Sequence, residues 1–108
     1  MWGDDLNAET FAQKTAKGLV LVDFYADWCG PCKLLEPVLK TLEQEFGEQI
    51  KFVKVDVQQD QELAVANNVM SIPTMLLFVD GVAKEKLTGY KHLADMRQYL
   101  TSKLEQYS

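Results

Sequence analysis

LVLVDFYADWCGPCKLLEPVLKTLEQEF, residues 19–46, decides how this chain folds. Its opening, Leu19 to Ala26, is apolar almost without a break and is interrupted by Asp23. A run of this kind reads as a strand buried on both faces, in the middle of a sheet that carries helices on each side. Beyond the Gly-Pro pair, Leu34, Leu35, Val38, Leu39, Leu42 and Phe46 recur at helical spacing, and Gly47 closes the pattern. Ile50 to Val57 follows as a second strand rich in β-branched residues. Strand, helix and strand in that order make a right-handed crossover between parallel strands.

Upstream, Asn7 is suited to cap a helix running to about Lys17, with Gly18 at its end. Downstream, Asp60 is placed to cap a short helix to Ala66, which Asn67-Asn68 can end in a left-handed turn. Thr74 to Val79 is a third apolar strand, and Asp80-Gly81 turns it into Val82 to Thr88, a more polar edge strand. Leu93, Met96, Leu100, Leu104 and Tyr107 share one face of a last helix. The expectation is an α/β fold in one domain, residues 1–108. Its mixed central sheet has at least four strands, βαβ then ββα, flanked by helices on both faces.

At 47% hydrophobic and 25% charged, the composition is that of an ordinary globular domain able to bury one core. With 16 acidic against 11 basic residues, the net charge of -5 argues against nucleic acid or an anionic membrane as partner. The longest apolar run is too short to span a bilayer, so no membrane association is expected. The opening MWGDDLNAET is acidic and lacks the apolar core of a secretory signal. A reducing cytoplasm is therefore the expected location, and a persistent structural disulfide is not.

That compartment bears on Cys29 and Cys32, the two cysteines of the chain. A closed zinc site needs four ligands, and the one histidine, His92, lies far along the chain. Covalent haem attachment needs His directly after the second cysteine, where this chain has Lys33. A staple across so short a loop restrains the unfolded chain by only about 2 kcal/mol. A redox pair fits the placement better. With the helix starting near Cys29, that sulfur meets unpaired N–H groups and the positive end of the helix dipole, which favour the reactive thiolate. Cys32, one turn further in, is expected to be more covered and to close the ring. Gly30 and Pro31 suit a first helical turn. Trp28 reads equally as an apolar shoulder beside the sulfurs or as a core residue, and Trp2 as packing.

WCGPCK between a buried strand and a helix resembles the thioredoxin family. Ser71-Ile72-Pro73-Thr74 matches the Ile-Pro-Thr signature of that family, and Asp80-Gly81 and Gly89 match its later hairpin and turn. The likeness covers nearly the whole chain. It implies a thiol–disulfide oxidoreductase that reduces protein disulfides, with Cys29 as nucleophile and Cys32 as resolving thiol. It implies that Pro73 is cis and lies beside the disulfide; read alone, Pro73 could equally be a trans residue opening a strand. Asp23, if buried, would hold its proton to higher pH, and the resemblance makes it the proton acceptor for Cys32. Lys54, which interrupts FVKVD, resembles the lysine that tunes this aspartate. The bland readings are a frayed Asp and a Lys reaching out to water. Trp28, Gly30, Pro31, Ile72 and Gly89 would line an apolar substrate groove.

No bound cofactor or metal is implied; NADPH would act indirectly, through a thioredoxin reductase that re-reduces the pair. Disulfide-containing proteins and that reductase are the implied partners, and a monomer is expected. Pro37, inside the long helix, should remove a hydrogen bond and shape the helix. One departure stands out: Tyr25 occupies a position where the family often has Trp.

Overall fold

A computed structural model describes residues 2–108. In chain order the elements are β1 (Asp4–Asp5), α1 (Ala8–Thr15), β2 (Leu19–Tyr25), α2 (Gly30–Phe46), β3 (Ile50–Asp56), α3 (Gln61–Ala66), β4 (Thr74–Val79), β5 (Val82–Thr88) and α4 (Leu93–Gln106). They form one five-stranded mixed sheet in the order β1-β3-β2-β4-β5. β2 and β3 pair in parallel across the α2 crossover, and β4 runs antiparallel to β2 and to β5.

The period of two along the strands sorts the core into two layers. Val20, Val22 and Phe24 of β2 face Phe11 of α1 and Leu63 of α3, with Val53 and Val55 of β3 beside them. Leu21 points the other way, into a cluster with Phe52, Met75 and the apolar stripes of α2 and α4, among them Leu35, Leu39, Met96 and Leu100. Asp23 continues the row of Leu19 and Leu21, and Lys54 that of Ile50 and Phe52. Alternation therefore sends both charges to the α2 face, and the parallel register sets them opposite each other.

The ends of the elements obey local rules, with one correction. Asn7 caps α1 in a full capping box with Thr10, and Asn68 takes the left-handed turn after α3 at φ 57°. Asp80 and Gly81 both have positive φ, and the Asp80 carboxylate also accepts the N–H of Gly18 at 2.8 Å. Asp60 precedes α3 but makes no side-chain cap. Its backbone, at φ -128° and ψ 61°, leaves the extended range that capping uses; Asp56 bonds the N–H of Gln58 instead. The fifth strand, β1, is one that sequence pattern does not suggest, within the expectation of at least four. It is held to β3 in parallel register, with Leu6 N–H donating to the Lys54 carbonyl at 2.8 Å.

Candidate active site

α2 begins at Gly30, shortly after β2, because Cys29 is its N-cap, in extended conformation, with Gly30 and Pro31 forming the first turn. One of the unpaired donors expected at a helix start finds a partner here: Cys32 N–H points at Cys29 Sγ at 3.3 Å, while Lys33 N–H donates to the Cys29 carbonyl at 3.2 Å as the first regular bond of the helix. Cys29 and Cys32 are joined by a disulfide. The extra cover anticipated for Cys32 is absent in this oxidised form, since each cysteine is 4% exposed. Both cysteines pack with Ala26, Tyr25, Val57 and Ile72. What separates the two is the helix: among the described residues only Cys29 Sγ receives a backbone N–H.

Asp23 is buried, 2% exposed, and its Oδ1 has no hydrogen-bond partner among the described residues. Burial pushes its carboxyl up to about 7, with Lys54 pulling down and Glu36 pushing up. Lys54 is buried as well, at 5% exposed, yet makes no ion pair with Asp23 among the described residues. Its ammonium lies 5.1 Å from the Trp2 ring centre and 5.8 Å from that of Tyr25, a cation between two aromatic faces. Tyr25 is fixed in turn by its hydroxyl, which donates to the Asp5 carboxylate at 3.0 Å. A cavity of about 70 Å³ joins Asp23 and Lys54 to Cys32 and opens past Lys33, Glu36 and Asp27. That is room for water beside a buried carboxylate.

The Ile72–Pro73 bond is cis and Pro73 is buried. The Pro73 carbonyl accepts the N–H of Gly89 at 2.8 Å, and Gly89 sits at φ 87°, where a side chain would be strained. Trp28 is 67% exposed, which makes it a shoulder and not a core residue. With Ile72 it walls a groove of about 480 Å³ that runs along α3 past Val57, Val65 and Met70. Gly30, Pro31 and Gly89 are not walls of that groove; Gly30 and Pro31 lie exposed at the first turn of α2. Sequence reading missed two features. The Trp2 contact with Lys54 gives no local signal. Glu36 does give one: it falls four residues after Cys32, on the same helical face.

A disulfide across the first turn of a helix, packed against Ile72 of a cis Ile72–Pro73 bond and sharing a cavity with a buried carboxylate, defines a thiol–disulfide oxidoreductase domain. The thioredoxin family model matches residues 4–102. The chain is similar to the thioredoxin of Bacillus subtilis, 49% identical over 83 residues, covering 77% of this chain and 80% of that one. It is similar to the thioredoxin of Chlamydia trachomatis at 45% over 86 residues, covering 80% and 83%. A solved mutant thioredoxin from Halobacterium salinarum superposes with a TM-score of 0.86 at 36% identity, covering 94% of this chain and 89% of that one. The chain belongs to the thioredoxin family. It acts by exchange between a dithiol and disulfides, through the Cys29–Cys32 pair.

Proposed function

We propose that Cys29 is the attacking thiolate and Cys32 the resolving thiol in the reduction of protein disulfides. Cys29 thiolate attacks one sulfur of a substrate disulfide; a Cys29–substrate bond forms and the substrate's own S–S bond breaks, its other sulfur leaving as thiolate. Cys32 then passes its proton to the Asp23 carboxylate and attacks Cys29 Sγ. The Cys29–Cys32 bond forms, the mixed disulfide breaks, and the substrate leaves with two electrons more than it brought. The observation that carries this assignment is the N–H of Cys32 aimed at Cys29 Sγ, a contact that favours charge on that sulfur.

Asp23 serves as proton acceptor because it is buried, unpartnered and open to the same cavity as Cys32. Lys54 tunes it as a nearby cation. Pro73 and Ile72 shape the wall beside the disulfide, and Trp28, Gly30, Pro31 and Gly89 complete a surface for an extended substrate segment. Re-reduction comes from a thioredoxin reductase drawing on NADPH. The workplace is a reducing compartment, the cytoplasm, and the acting unit is a monomer that uses neither nucleic acid nor membrane; among the described residues no helix is long and apolar enough to cross one. Cys32→Ser tests the assignment: it should accumulate mixed disulfides through Cys29, and a failure to trap any from a disulfide-rich substrate would overturn it.

A further inference from the structure

Glu36 stands one helical turn after Cys32 and lines the mouth of the cavity that contains Asp23 and Lys54. We infer that Glu36 is a positioning residue of the redox site, a second negative charge that holds the proton on Asp23. This rests on the reading of Asp23 as the proton acceptor for Cys32.

The charges around Asp23 support the inference. From β3 it faces the Lys54 ammonium, which is held against the Trp2 and Tyr25 rings and not against the carboxylate. From β4 its neighbour in register is Met75, which is uncharged. From α2 come Lys33 and Glu36, and from the loop Asp27. Lys33 and Asp27 carry opposite signs, and the charges that act on the Asp23 proton are Lys54 and Glu36. Glu36 is therefore the charge that opposes Lys54, in agreement with its upward push on Asp23. Because Asp23 Oδ1 has no hydrogen-bond partner among the described residues, no fixed donor there pins its protonation. Its proton affinity is set by burial and by these charges, which leaves it sensitive to a single substitution at the mouth. In the reaction, a carboxylate of higher proton affinity is the stronger base toward the Cys32 thiol once ionised. It also retains the proton that returns to Cys32 when the disulfide is reduced. Both are the same transfer between Cys32 Sγ and an Asp23 oxygen, in opposite directions.

The test follows resolution of the mixed disulfide that Cys29 forms with dipyridyl disulfide, a neutral probe, as a function of pH in the full chain. Wild type should show an inflection near the Asp23 midpoint that Asp23→Asn removes. Glu36→Gln should lower that midpoint by about half a pH unit, the scale expected for one charge across a wet cavity. Glu36→Lys should lower it further, and added salt should shrink both shifts. If Asp23→Asn removes the inflection but both Glu36 variants superimpose on wild type, the role of Glu36 is overturned while that of Asp23 stands. If no inflection depends on Asp23, the proton-acceptor reading fails and this inference fails with it.

Discussion

At the level of single residues, Asp23 carries the sharpest consequences. Its carboxyl titrates at 3.8 in an unfolded chain and at about 7 in the folded protein, so between those values the folded protein holds the extra proton. Stability must then fall as pH rises through that window, by up to roughly 4 kcal/mol. Asp23→Asn should match wild type at pH 4 and exceed it at pH 8 in urea unfolding of the oxidised protein. Equal stabilities at pH 8 would mean that the buried charge costs nothing. Asp23 is legible in the sequence because a carboxylate inside LVLVDFYA breaks the apolar pattern of a buried strand. The position of Lys54 ammonium is not legible. A lysine in a strand can snorkel, pair or stack, and only the tertiary arrival of Trp2 chooses stacking.

The elements were legible wherever a pattern of several residues repeats. β2, β4, β5 and α2 follow hydrophobic period and turn chemistry, and their observed bounds lie within a residue or two of those expected. β1 was hidden because two exposed aspartates have no alternation to read; backbone bonding to β3 makes the strand, anchored by buried Trp2 and Leu6 on either side. Pro37 lies within α2 without ending it. Its missing N–H frees the Lys33 carbonyl, and the exposed side of the helix lets water satisfy that group. At the other end of the scale of element stability, the capping box of α1 satisfies the N–H groups of Asn7, Glu9 and Thr10. Asn7→Ala should cost about 1 kcal/mol in unfolding free energy without changing the rate of disulfide exchange. A variant of unaltered stability would show that the cap is idle in solution.

Across the whole molecule, the two-layer sheet brings the start of α2, Ile72 of the cis Ile72–Pro73 turn and Asp23 of β2 together around the disulfide. The N-terminal segment covers that site from the β3 side. Trp2 is 4% exposed, packs in the α2–α4 layer and stacks on Lys54. Trp2→Ala should therefore destabilise the fold by about 3 kcal/mol and, by admitting water to Asp23, lower its midpoint as well. Loss of stability with an unmoved midpoint would confine Trp2 to packing. The redox pair itself, from CxxC spacing to its place at the start of α2, could be read from the chain alone; the cavity beneath it needed the fold. The most direct measurement is the reduction potential of Cys29–Cys32, by equilibration in dithiol buffers of known potential. A reversible two-electron couple near about -270 mV, the value known for thioredoxins, is the predicted result. A value near about -120 mV would make the protein an oxidant, and the absence of any couple would contradict the account altogether.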